Sequence, residues 1–208
     1  MKSVLCFGDS NTHGIDPTGA GRFDRSIRWT ALLQGLLGTE WHVIEEGCGG
    51  RTTVWEDPIE GSKNGAAYLV PCLNSHKPLD LVILLLGTND LKQRFGLGPE
   101  DIARGAGVLV DLCLASRAGH GGRVPEILLV APPPLASLSG TPFERMFAGA
   151  EEKSRLLGAH YEAVSREKGC RFLDLSGVVR SSPIDGIHWE SAEHAALANK
   201  LAPLIQSL

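Results

Sequence analysis

The chain has 208 residues, of which 43% are hydrophobic and 21% charged, enough for one sizeable core and short for two independent ones. A formal net charge of -4, with the 20 Lys and Arg residues dispersed, excludes a broad electrostatic grip on nucleic acid or an anionic membrane, so the expected partner is a small molecule. The most apolar run, Leu81 to Leu86, is too short to cross a bilayer and no basic leader precedes the first strand pattern, so the expectation is one soluble, cytoplasmic domain over residues 1–208.

The chain opens on an apolar, β-prone run, Ser3 to Phe7, which stops at Gly8 and is followed by Asp9-Ser10-Asn11-Thr12-His13-Gly14. A strand ends there and the chain must turn, with Ser10 either capping a helix or offering a reactive hydroxyl. Trp29 to Leu37 carries apolar residues at helical spacing with Gly38 as its stop, and Trp41 to Glu46 reads as a second strand. That strand runs into Gly47-Cys48-Gly49-Gly50-Arg51-Thr52-Thr53, where three glycines in four residues call for a tight turn or a close approach. Gly65 to His76 is expected to be a short helix interrupted near Pro71. Asp80 to Leu86 is a continuously apolar strand, as in a parallel sheet covered on both faces, and it ends in Gly87-Thr88-Asn89-Asp90.

Pro99 to Ala118 is helical, with proline in the permitted first turn. Glu126 to Val130 is the fourth strand, left by a stiff Pro132-Pro133-Pro134 exit. Pro142 to Lys168 is expected as one long helix, Arg171 to Leu175 as the fifth strand, and Ser191 to Leu208 as the closing helix, capped by Ser191. Strands alternating with helices give an α/β fold in three layers, and five strands suit the flavodoxin-like order 2-1-3-4-5. The five cysteines, Cys6, Cys48, Cys72, Cys113 and Cys170, include no C-x-x-C pair and suggest neither a disulfide framework nor a zinc site, Cys48 being notable only for its glycine-rich loop.

In that strand order the polar clusters at Ser10, Gly50, Asn89 and Asp185 to His188 share one sheet edge. Backbone N–H groups and a side-chain amide can then converge near a serine, as an oxyanion hole requires. A serine hydroxyl needs a base, for which His188 is the candidate, and Asp185 three residues earlier can reach the other ring nitrogen. The remaining histidines, His42, His76, His120, His160 and His194, show no metal-ligand spacing, and Lys92 reads as a solvated surface residue. No G-x-G-x-x-G or G-x-x-x-x-G-K-[ST] motif occurs, which counts against the competing class, a nucleotide- or flavin-binding module.

Gly8-Asp9-Ser10, the glycine after strand two, Gly87-Thr88-Asn89-Asp90 and Asp185-Gly186-Ile187-His188 together resemble, in order and across the chain, the four blocks of the SGNH (GDSL-type) hydrolases. The resemblance implies Ser10 as nucleophile, His188 as base, Asp185 as its orienting acid, and Ser10 N–H, Gly50 N–H and the Asn89 amide as oxyanion donors. Gly47 and Gly49 compete with Gly50, and the neighbouring Arg51-Thr52-Thr53 favours Gly50. Within the family, Val43-Ile44-Glu45-Glu46-Gly47, Asn64-Gly65-Ala66 and the proline exit are similar to the bacterial arylesterase/acyltransferase branch. That branch implies a homo-oligomer without cofactor or metal, hydrolysing acetyl to butyryl esters of aryl, alkyl or sugar alcohols, with acyl transfer to alcohols or peroxide. Carbohydrate acetylesterase and lysophospholipase or thioesterase are the rivals. The chain departs from the branch at Asn11-Thr12-His13-Gly14, so Asn11 and His13 are candidate substrate contacts, with Thr88, Phe143, Phe147 and Ile187.

Overall fold

A computed structural model describes residues 1–208. Five parallel strands, β1 (Lys2–Gly8), β2 (Trp41–Gly47), β3 (Leu81–Leu85), β4 (Glu126–Ala131) and β5 (Arg171–Asp174), form one sheet in the order β2-β1-β3-β4-β5. The period-two alternation of strand side chains divides the apolar residues between two faces. Leu5, Phe7, Val82, Leu84, Ile127 and Leu129 face one cluster, completed by the helices α3 (Gly65–His76), α4 (Pro99–Ser116) and α6 (Leu157–Lys168). Val4, Cys6, Leu81, Ile83, Leu85, Leu128 and Val130 face the other, covered by α2 (Trp29–Leu37) and α7 (Ser191–Gln206) through Trp29, Leu33, Leu197 and Leu201. Each fully buried leucine or phenylalanine in these layers contributes about 1.5–3 kcal/mol, which is why near-continuous apolar strands form here at all.

Register decides where the loops emerge. Gly8 at the end of β1 pairs with Gly47 of β2 and Leu85 of β3, so the segments after all three strands leave the sheet at one level, with β1 in the middle. No helix of the chain is long and apolar enough to cross a membrane.

Three local expectations are corrected. α3 runs through Pro71 unbroken, because Pro71 and Ala67, whose carbonyl it cannot bond, both lie on the exposed face, open to solvent. The expected long helix from Pro142 is instead a series of turns, followed by the short α5 (Ala150–Ser154) and α6. Gly149, at φ +76°, stops the helix from extending backwards. Ser191 is the first helical residue of α7 and not its cap. Glu190 holds the cap position with extended backbone, and the Glu193 carboxylate accepts the Arg180 N–H at 2.9 Å.

Candidate active site

Beyond β1 the chain turns at once into α1 (Ser10–His13), a single helical turn fixed at both ends. The Asp9 carboxylate accepts the Asn11 N–H at 2.9 Å, and Gly14, in the left-handed region, returns its N–H to the Ser10 carbonyl at 2.8 Å. Ser10 is therefore held at the first position of a turn, where a backbone N–H has no helical partner and points outward.

The segment after β5 crosses back over the sheet edge and brings His188 to this serine. Its Nε2 lies 3.0 Å from Ser10 Oγ, and its Nδ1 lies 2.5 Å from Asp185 Oδ2. The other carboxylate oxygen, Oδ1, accepts the N–H groups of Ile187 and His188, both at 2.9 Å, so the three-residue spacing forms a closed turn around the carboxylate. Gly186 makes that turn possible: its φ is +82°, and a Cβ there would stand 2.6 Å from Leu138 Cδ2. Burial alone would raise the Asp185 carboxyl, but the His188 ring and the two N–H groups hold it below the usual carboxylate range. A carboxylate ionised in this way fixes the His188 tautomer with the proton on Nδ1, leaving Nε2 free to accept from the serine hydroxyl.

Donors converge on the same point from the two flanking strands. Cys48 N–H makes the bond to β1, so by the alternation of a strand the Gly47 N–H turns to the outer edge of β2, away from the serine, which removes Gly47 from the candidates. In the loop beyond, Cys48 N–H bonds Gly8 O and Arg51 N–H bonds Cys48 O, each at 3.1 Å, while the Gly49 and Gly50 N–H groups make no bond within the chain. Gly50 adopts φ +80°, and the Glu60 carboxylate stands where a side chain would go. From the β3 side, Asn89 donates one amide hydrogen to Arg51 O at 3.1 Å, which orients the amide and leaves its second hydrogen for an incoming oxygen. A nucleophile-base-acid relay beside several unspent N–H groups can carry acyl transfer.

The candidate substrate contacts divide. The Phe143 ring packs edge-on against His188 at 5.8 Å between centroids. Phe147 is sealed in the core and touches the Phe143 ring edge-on, its N–H bonding the Phe143 carbonyl at 3.0 Å. Thr88 and Ile187 are buried beside the site. Asn11 is buried too, its amide reaching toward the Ile187 carbonyl at 3.5 Å, so it links α1 to the histidine turn. The His13 carbonyl accepts from Arg22, and its imidazole is held below the usual histidine range by partial burial and the Arg22 charge.

Two supports escape sequence reasoning. Arg51 is buried, donates to the carbonyls of Gly8 (2.8 Å) and Glu46 (2.5 Å), and lies over the rings of Phe7 and Tyr68, pinning the glycine loop to both strands. Asp90 accepts from the Thr53 N–H and hydroxyl, and burial pushes its carboxyl up to about 6, as it does that of Asp9. Lys92 corrects an expectation outright. It is buried and paired with Asp57 at 3.2 Å and Glu60 at 2.6 Å, while Arg94 reaches Asp57 at 2.8 Å. The reason is the loop of residues 55–63, which folds over Lys92 and leaves it no route to water.

Against known proteins, residues 6–196 match the model of the GDSL-like lipase/acylhydrolase family. Among solved structures, an aryl esterase from M. smegmatis is 42% identical with a TM-score of 0.95, all of both chains being covered. A carbohydrate acetylesterase from Sinorhizobium meliloti is 40% identical, also at 0.95, over 100% of this chain and 99% of that one. A member of the lipolytic G-D-S-L family from Veillonella parvula, 16% identical with a TM-score of 0.69 over the whole of both chains, shares the fold. No curated protein compared with the chain matches it. With residues 6–196 matched by the family model and a solved structure 42% identical over the whole of both chains, the chain belongs to the GDSL-like lipase/acylhydrolase family.

Proposed function

We propose that the protein is a serine esterase that cleaves short-chain acyl esters through an acyl-enzyme. The observation that carries this reading is the hydrogen-bond chain from Ser10 Oγ through His188 to Asp185, at 3.0 and 2.5 Å. As Ser10 Oγ attacks the ester carbonyl, His188 Nε2 takes its proton, and Asp185 stabilises the imidazolium. The tetrahedral oxyanion takes up the N–H groups of Ser10 and Gly50 and the free Asn89 amide hydrogen, each such donor contributing about 3 kcal/mol. His188 then protonates the departing alcohol oxygen, and water, activated by the same ring, releases the acid. An alcohol or peroxide in place of water gives acyl transfer by the same steps.

The Phe143 ring against His188 puts an apolar wall beside the relay, which supports small acyl groups, acetyl to butyryl. The likeness to an aryl esterase and to a carbohydrate acetylesterase supports aryl and sugar acetates as the substrate class. A serine-directed fluorophosphonate should leave one covalent adduct, on the Ser10 peptide. An adduct on another residue, or none, overturns the mechanism. Rates along a p-nitrophenyl series from acetate to laurate should fall steeply beyond butyrate, and a maximum at a long chain overturns the substrate class.

A further inference from the structure

Glu46, at the end of β2, faces α3 across the layer boundary, and there it meets two side chains that the esterase mechanism does not use. Cys72 and His76 are four residues apart on α3 and so lie on one face of it. The His76 Nε2 stands 2.8 Å from Glu46 Oε1, and the carboxylate oxygen, the Cys72 sulfur and the imidazole nitrogen all lie within 4.8 Å of one another. We propose that these three residues form a binding site for a thiophilic divalent cation of the zinc type.

The donor set is the mixture of thiolate, imidazole and carboxylate that zinc takes. A tetrahedral ion with bonds of about 2.0–2.3 Å spaces its donors about 3.5 Å apart, inside the range these three atoms already occupy. Cys72 is buried, whereas the Glu46 and His76 side chains are 20% and 31% exposed. A surface cavity of about 530 Å³, lined by Glu46, Arg51 and Tyr68, opens the Glu46 side of the cluster to solvent.

Binding displaces the Cys72 proton to solvent, and the resulting thiolate with the Glu46 carboxylate neutralises the dication. The cluster thereby goes from one negative charge to none beside the Arg51 guanidinium, the cation that faces it from the loop after β2. The ion ties β2 to α3 one residue before the glycine loop begins.

The test is titration of the full chain with Co²⁺ as the probe. A thiolate-to-cobalt charge-transfer band in the near ultraviolet should rise to one equivalent and be displaced by Zn²⁺. Cys72→Ser should abolish the band. His76→Ala, at a half-exposed position that leaves the core intact, should weaken binding by about 100-fold. Cys48→Ser should leave the band unchanged. No charge-transfer band in the parent protein, a band that survives Cys72→Ser, or His76→Ala binding as tightly as the parent overturns the site.

Discussion

Replacing Asn89 by alanine removes one of the three donors assigned to the oxyanion and little else near the reacting atoms. The amide is buried, and one of its hydrogens is committed to Arg51 O at 3.1 Å, so the side chain arrives at the site already oriented. A preorganised donor of this kind is worth about 3 kcal/mol in the transition state, which corresponds to a fall in kcat of about 100-fold or more. Losing the bond to Arg51 O costs a further 1–3 kcal/mol or so of folding stability, because the carbonyl is left without that partner in a buried place. The assay is kcat and KM for p-nitrophenyl acetate, with urea unfolding run alongside. The expected result is a large loss in kcat with KM changed by less than about threefold, the signature of an interaction made only in the transition state. A rise in KM with kcat retained would refute the assignment of Asn89 to the oxyanion.

Two predictions concern groups that hold the site from outside. Asp57 is fully buried, accepts from Lys92, Arg94 and the N–H groups of Ile59 and Glu60, and is held well below the usual carboxylate range by them against the cost of burial. Asp57→Asn leaves the buried Lys92 and its neighbour Arg94 with Glu60 as their one remaining counter-charge and should lower urea-unfolding stability by about 2 kcal/mol; a change within about 0.5 kcal/mol contradicts the reading. His194 is buried between Trp189 and Phe23, and burial, with the Arg28 charge, lowers its imidazole to about 4. Since the unfolded histidine binds the proton more tightly, the stability contributed by the neutral ring is full above about pH 6.5 and is lost as pH falls toward 4. Between about pH 7 and about pH 5 the loss is about 2 kcal/mol, and His194→Gln, which keeps an acceptor for the Trp29 N–H, should remove that pH-dependent part. The raised Asp9 and Asp90 carboxyls act with the opposite sign, stabilising at acid pH, but they cancel in the difference between parent and variant. An equal acid-induced loss in both proteins contradicts the prediction.

The sheet was legible because β1, β3 and β4 are short apolar runs ended by glycine or proline, and in the order 2-1-3-4-5 the polar clusters must share an edge. Ser10 and Asn89 were legible because each follows a strand closely, so its position depends on little besides the sheet, and the Asp185 to His188 turn was legible from its own three-residue spacing. What was not legible depends on partners distant in sequence. Lys92 looks solvated until the aperiodic loop of residues 55–63 folds over it. Arg51 takes its meaning from the carbonyls of two different strands, Gly8 and Glu46. Phe143 and Phe147 keep their four-residue backbone bond, but Phe147 is turned into the core and Phe143 is the ring that packs on His188. Cys72 and His76 stand four apart on one helix, but the third member of their cluster, Glu46, approaches from another layer of the fold.

The most direct test of the account is Ser10→Ala, which deletes one oxygen and alters no core contact. With p-nitrophenyl acetate, hydrolysis should fall by about a thousandfold or more, with the circular dichroism spectrum and urea midpoint preserved, because the nucleophile has no substitute within reach of His188. A folded Ser10→Ala protein that retains most of its hydrolysis would contradict the central claim.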